Sequence, residues 1–422
     1  MNSQSTNQEY LQDFGPSTTD ISRCIRCGFC NSACPTSNVA SAFKDSRTSR
    51  GRLILLQSIM ENAGHADPYS EEFKELIDLC YSCRRCVAAC PAGIPIPDLM
   101  SHARHAYLKH NGQSELNLGH RIYSQYGKFD HLGSTFAPIS SWMLRRQFFR
   151  QVMEYVTHID SRARLPNFQR ETFESWFKNR PKVAQRKKIV YFVDSFANFN
   201  EPSIGKLTVN ILERLGFEVI VPPQRESGMP AIEYGMLDQA RDLAKYNLEQ
   251  LEPFMKEGCR IVCSSPAATF LLRQGYGTIL NDKEFLRLSG SVVDLAELCL
   301  EEYNQGTLKF PNTNAQPIQY HYCCLSKALS LGPVTSKLLD AAGFVQTQVE
   351  ECCGGAGVWG TFKENYEMSH EIANKLAQKI TKDQTLLTES ETCRLQIEGH
   401  LDVSVRFPLE LIADRAGIKI TS

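Results

Sequence analysis

The sequence has no excess of charge of either sign: 46 Lys and Arg stand against 47 Asp and Glu, a formal net charge of −1. Bulk electrostatic capture of nucleic acid is therefore excluded as a first expectation, and no nucleic-acid partner is expected. No run of about 18 apolar residues occurs, so no membrane-spanning helix is expected. Residues Met1 to Gly15 are polar and show no apolar leader, so a cytoplasmic protein is expected. With 42% hydrophobic and 22% charged residues, long disorder is not expected either. A length of 422 residues suggests two to three domains. What is plentiful is cysteine, with 16 residues. A disulfide framework explains them poorly where thiols stay reduced, so they read first as metal ligands.

The cysteines fall into two groups, eight within Cys24–Cys90 and eight from Cys259 to Cys393. Cys24, Cys27, Cys30 and Cys34-Pro35 follow C-x2-C-x2-C-x3-C-P, and Cys80, Cys83, Cys86 and Cys90-Pro91 repeat it. Three closely spaced thiolates on one loop hold three corners of a cubane, and the fourth comes from the other motif. Cys24, Cys27, Cys30 and Cys90 are thus expected to hold one [4Fe–4S] cluster, and Cys80, Cys83, Cys86 and Cys34 a second. Duplicated zinc modules are the alternative, but the closing Cys-Pro steps favour iron–sulfur. Arg26, Arg84 and Arg85 lie inside the motifs and can counter cluster charge or simply face solvent. Helical apolar spacing over Arg52–Glu61 and Ser70–Leu79, with Ser70 as a helix start, predicts a mostly helical domain over residues 1–110.

Residues 111–186 read as a helical connector. Ser140–Val156 predicts an amphipathic helix that either lies on an anionic membrane surface or packs on the next domain with its Arg stems over apolar surface. Arg180–Lys188 reads as a solvated linker. Beyond it, strand-like runs at Lys188–Val193, Glu218–Val221, Arg260–Cys263, Ile318–Tyr322, Val345–Val349 and Thr385–Thr388 alternate with helical runs at Ile204–Leu215, Leu237–Glu249, Thr335–Ala342 and Lys363–Ile380. This predicts parallel βαβ units. Leu212–Phe217 matches Leu339–Phe344, and each is followed by a strand and a loop, Glu226-Ser227-Gly228 in one case and Cys352-Cys353-Gly354 in the other. The expected fold is therefore α+β multidomain: a helical two-cluster ferredoxin domain, then a pseudo-duplicated α/β domain with halves at 187–310 and 311–422.

In the second half, Cys324, Cys352, Cys353 and Cys393 are expected near strand C-terminal ends, where α/β sheets build sites. They can bind a further iron–sulfur centre, with Gly354-Gly355-Ala356-Gly357 aiming amides at sulfur, or they can be small core residues. Cys259, Cys263 and Cys299 read as inert core.

Two ferredoxin motifs followed by a Cys-Cys-Gly domain resemble the iron–sulfur subunit of the anaerobic glycerol-3-phosphate dehydrogenases. The iron–sulfur subunit of glycolate oxidase and the cysteine-rich subunit of heterodisulfide reductase are similar in the Cys-Cys-Gly part. The resemblance is carried further by Thr135–Ile139, Leu165-Pro166 with Phe173 and Trp176, Phe199-Asn200 with Pro202, Ser264-Ser265-Pro266, Thr269-Phe270, Tyr320-His321, Phe362–Tyr366 and Glu391–Glu398. It implies an electron relay from flavin-bearing dehydrogenase subunits to the membrane quinone pool, no flavin and no catalytic residue on this chain, and peripheral attachment to the inner face of the cell membrane. A glycolate or lactate oxidase complex and a heterodisulfide-reductase-like thiol/disulfide activity are the alternatives. The sequence departs from the family where first-half ligands would stand, at Ser195, Glu226, Ser227 and Ala268, so no cluster is expected there. Ser390 replaces a second-half cysteine, Cys323 a proline, and Phe407-Pro408 a His-Pro pair.

Overall fold

The computed structural model describes residues 10–14, 17–39, 45–61, 67–181, 183, 187–311 and 314–419. The chain is α+β and multidomain. Its N-terminal region is helical. Ser49–Met60 starts on Thr48, whose hydroxyl accepts from the Gly51 amide, and Glu71–Asp78 starts on Ser70, which accepts from Phe73. These caps satisfy amides that a first helical turn leaves without partners. Both helices and the long Ile96–Asn111 helix bury Leu53, Leu56, Phe73, Ile77, Leu99 and Ala103 in one apolar core around the cysteine loops.

The expected single helix over Ser140–Val156 is two helices, Ile139–Leu144 and Gln147–Thr157, separated by an extended Arg146. Its apolar face is not packed on the next domain. Phe148 is 69% and Tyr155 87% exposed, and Phe136, Ile139 and Trp142 are exposed beside them. Arg150 explains the orientation: its guanidinium turns inward and donates to the carbonyls of Asp160, Ser161 and Ala163, which aims the apolar side outward. No helix among the described residues is long and apolar enough to cross a membrane.

The C-terminal region holds two four-stranded parallel sheets. The first comprises β1 (Lys187–Phe192), β2 (Phe217–Ile220), β3 (Arg260–Cys263) and β4 (Val292–Asp294), in the order β2-β1-β3-β4. The second comprises β5 (Gln316–His321), β6 (Phe344–Val349), β7 (Thr385–Thr388) and β8 (Val405–Arg406), in the order β6-β5-β7-β8. The two orders are one topology repeated, as the matched segments imply. Gly216 and Gly343, with φ of 88° and 85°, make the same turn from helix into β2 and β6. The edge strands β4 and β8 escape sequence reading because three and two residues leave no alternation to detect. Ile189, Tyr191, Ile318, Tyr320 and Leu387 share one core, so the halves form a continuous body. The opposite face of the first sheet, with Val190 and Phe192, packs with Tyr107 and Leu108 of the helical region. The expected linker is not simply solvated. Arg180 pairs with Glu213 at 2.6 Å and lies over the Trp176 ring; residues 182 and 184–186 lie outside the described part.

Candidate metal centres

The paired loops bring the ferredoxin-type cysteines together in the exchanged arrangement. Burial pushes the Cys30 thiol up to about 11, and the sulfurs of Cys24, Cys90 and Cys27 add to it. These four line one small cavity. Cys86 is likewise raised by burial, then by its neighbours Cys83, Cys80 and Cys34. Burial also raises Cys34, but the Arg52 guanidinium and the hydroxyls of Ser37, Ser49 and Thr36 more than reverse this, to about 7. Arg52 is 2% exposed and hydrogen-bonds Thr36 Oγ1 at 2.9 Å and the Arg47 carbonyl at 2.7 Å, with Cys34 Sγ 3.9 Å away. A buried cation beside buried thiols favours the thiolate form that soft metals require. Sequence reasoning passed over Arg52 because it sits in an apolar helical run.

Of the arginines within the motifs, Arg84 is engaged with Asp98, at 3.2 Å through Nη2, and lies over the Phe270 ring. Arg26 bonds Gln57 at 3.1 Å and is half exposed. Arg85 is the one that faces sulfur: burial opposes its charge, and Cys324, Cys352 and Cys83 outweigh that and raise it.

The second-half cysteines meet as well. Cys324 opens the Cys324–Ala328 helix just after β5, Cys352 and Cys353 follow β6, and Cys393 sits in the first turn of Glu391–Leu401 after β7. Hydrogen bonds from Cys324 and Cys353 pull Cys352 well below the ordinary thiol value, aided by Tyr81 and the Gly354 amide. Tyr81 Oη lies 3.3 Å and Gly354 N 3.4 Å from its sulfur. Cys353 bonds on to Cys393. Gly354 has φ of 80°, and a Cβ there would stand 2.2 Å from the Ser369 carbonyl, so no other residue fits. Cys323 is spent locally as the cap of its helix, accepting from Ser326 N at 3.3 Å, and burial pushes its thiol up to about 12. Ser390 caps the helix that carries Cys393. His321 is 1% exposed, and burial lowers it to about 4. As a neutral ring it bridges Thr388 Oγ1 at 3.1 Å and the Glu351 carbonyl at 2.9 Å, which anchors the Cys352 loop to β7. Cys259, Cys263 and Cys299 are buried among apolar residues and join none of these groups.

In the first half, Ser195 follows β1, Glu226 and Ser227 follow β2, and Ala268 lies in the helix after β3. These are the positions of Cys324, Cys352-Cys353 and Cys393 on the repeated topology, and they bear no thiol. Among the described residues, no three His, Cys, Asp or Glu side chains are grouped around a single metal ion. The cysteines instead form three sets in sequence. Cys83 belongs to the second and hydrogen-bonds Cys324 of the third. The Trp359 ring sits on Tyr81 and donates to the Asp78 carbonyl at 3.0 Å, which ties the helical region to the second half.

A cavity of about 220 Å3 lies where the helical region, the connector and the two sheets meet. Ser82 and Cys83 line one side, the second-half thiols another, and Tyr123, Tyr126, Asp130, Asp194 and Glu233 the third.

Soft thiol sets inside a helical domain and at strand ends define an iron–sulfur protein. Comparison with known proteins agrees: residues 20–94 match the 4Fe-4S dicluster domain and residues 318–398 the cysteine-rich domain. The chain is similar to a subunit of the anaerobic glycerol-3-phosphate dehydrogenase of Escherichia coli K12, at 28% identity over 94% of this chain and 98% of the relative. It is also similar to the glycolate oxidase iron-sulfur subunit of the same organism, 25% identical over 92% of each chain. In Methanosarcina barkeri, the dihydromethanophenazine:CoB–CoM heterodisulfide reductase has a subunit 24% identical over 80% of this chain and 78% of its own. The resemblance drawn from the motifs thus holds, and the heterodisulfide reductase likeness reaches well beyond the Cys-Cys-Gly part.

Proposed function

We propose that this chain is the electron-transfer subunit of a membrane-associated dehydrogenase. Electrons enter from a flavin-bearing partner and leave to a membrane quinone. Cys24, Cys27, Cys30 and Cys90 would hold one [4Fe–4S] cluster, Cys34, Cys80, Cys83 and Cys86 the second, and Cys324, Cys352, Cys353 and Cys393 a third iron–sulfur centre. When bound, these groups supply one-electron storage and no substrate chemistry. The chain itself supplies burial, the Arg52 and Arg85 charges, and hydrogen bonds to sulfur, which set potentials. No flavin site and no catalytic residue are assigned to this chain. The observation that carries the reading is continuity: Cys83 contacts Cys324, so the thiol sets adjoin from the amino-terminal loops to the second sheet. A protein that did chemistry at one centre would not need that chain. The exposed strip of Phe148, Tyr155 and Trp142 with Arg145 and Arg146 supports peripheral contact with an anionic membrane, on its cytoplasmic side. The repeated sheets with bare first-half positions favour transfer over disulfide reduction.

Anaerobic preparation should give about twelve irons per chain, against about eight if only the ferredoxin-type sets are filled. Cys86→Ser should remove one cluster's paramagnetic signal and stop electron flow from the partner to quinone. Undiminished flow in that variant sinks the relay.

A further inference from the structure

The cavity where the domains meet has two chemically unlike walls. One carries sulfur: Cys83 from the helical region, and Cys324 and Cys352 from the second half. The other carries carboxyl groups, above all Asp130 and Glu233. Between them, Ser82 is 5% exposed and its hydroxyl has no hydrogen-bond partner, a buried polar group turned to the cavity. Tyr123, Tyr126 and Pro266 give flat apolar surface.

The carboxyl wall is built to hold protons. Burial pushes Asp130 up to about 8, with Asp194 and Glu226 adding to the shift. Tyr123 and Tyr126 also face it. Burial pushes Glu233 up to about 8 against the partial opposition of Arg104, and Tyr234 lies beside it. Both groups are therefore neutral acids at pH 7, and donors. A thiol relay has no use for them, since moving one electron between sulfur-bound centres moves no proton.

We propose that this cavity receives a quinone ring, and that Asp130 and Glu233 deliver the two protons of its reduction. The proposal rests on the reading above that electrons end on a quinone, and adds where this happens. Two electrons, supplied one at a time by the reduced iron–sulfur protein, convert two ring carbonyls to hydroxyls and the quinoid ring to an aromatic one. One proton comes from Asp130 and one from Glu233, and each carboxylate regains its proton from water. The Ser82 hydroxyl donates a hydrogen bond to a carbonyl oxygen. Access follows from one helix. Tyr126–Thr135 turns Tyr126 and Asp130 to the cavity at i and i+4, while Phe129 and Leu132 lie exposed with the apolar strip. An acceptor held in a bilayer thus meets the protein at the helix that lines its site.

The test uses full-length protein prepared anaerobically with its clusters. Illumination with a short-chain azidobenzoquinone should label peptides spanning 123–130 or 229–233, and excess unlabelled quinone should suppress this about fivefold or more. For kinetics, protein reduced with dithionite and gel-filtered free of it is mixed with the same unlabelled quinone, and its reoxidation is followed by absorbance. The rate should fall as pH rises through about 8. Asp130→Asn and Glu233→Gln should bind quinone within about twofold of the parent, slow reoxidation about tenfold or more, and flatten that pH profile. Ferredoxin-type paramagnetic signals retained in both variants establish that they are folded. Labelling outside the cavity, or variants with parental rates and pH profile, overturns the proposal. If label maps elsewhere while reoxidation proceeds, the cavity assignment fails and the quinone reading stands. If reduced protein passes no electrons to quinone, alone or with its partner, both fail.

Discussion

The two sheets follow one topology and differ in the side chains at their strand ends. After β5, β6 and β7 stand Cys324, Cys352-Cys353 and Cys393; after β1, β2 and β3 stand Ser195, Glu226-Ser227 and Ala268. Even the glycine that follows is kept, Gly354 with φ of 80° and Gly228 with 83°. Strand order and core are therefore indifferent to what the loops carry, because the ends project beyond the packed layers. The scaffold can lose a ligand set without losing the fold, and the vacated side becomes a carboxyl wall.

The largest test of that contrast is metal content. Cys353→Ser should lower iron by about four atoms per chain, whereas Ser227→Ala at the matching position should leave it unchanged. Equal iron in all three proteins would make the second half as bare as the first. The next test is steric. Gly354→Ala places its Cβ 2.2 Å from the Ser369 carbonyl, while at Gly228 the nearest atom is a Leu243 methyl at 3.2 Å. The first should cost about 3 kcal/mol or more in urea unfolding and the second about 1 kcal/mol, the penalty of a left-handed backbone alone.

A third test uses the residue after β7 and its counterpart after β3. Ser264 there is satisfied, 2.8 Å from Tyr191 Oη, but Glu389 has both carboxyl oxygens buried without a partner. Burial pushes Glu389 up to about 8. A raised carboxyl contributes its full stability below the unfolded value and loses it as pH rises through the folded one. Glu389→Gln should therefore flatten the decline in the urea midpoint between about pH 5 and 8, with a gain of about 1 kcal/mol at the upper end. A variant with the parental slope would assign that decline to other groups. The smallest effect is at Ser390, whose hydroxyl caps the helix that carries Cys393. Ser390→Ala should cost about 1 kcal/mol by urea unfolding with iron content unchanged; a loss of iron would make the hydroxyl part of the centre.

Much of the site was legible because spacing is itself chemistry. The C-x2-C-x2-C-x3-C-P repeats announce paired loops, and the Leu212–Phe217 and Leu339–Phe344 match announces the duplication. Less visible were residues whose role depends on what packs against them. Arg52 reads as one polar position in an apolar helix, His321 as a strand residue, and Tyr81 as a spacer between cysteines. The Ser140–Val156 run shows the limit from the other side. Its period marks an apolar face, but Arg150 bonding inward sets which way that face points.

The sequence by itself determined the thiol inventory, its grouping, the helical and βαβ segments and the loss of thiols from one half, since each is local or periodic. Only the tertiary structure decided that Cys83 meets Cys324, that Arg52 is enclosed beside Cys34, and that Asp130 and Glu233 share a cavity with sulfur. Those contacts join residues far apart in the chain, and they follow from how layers pack and where burial withholds water, which no short-range pattern encodes.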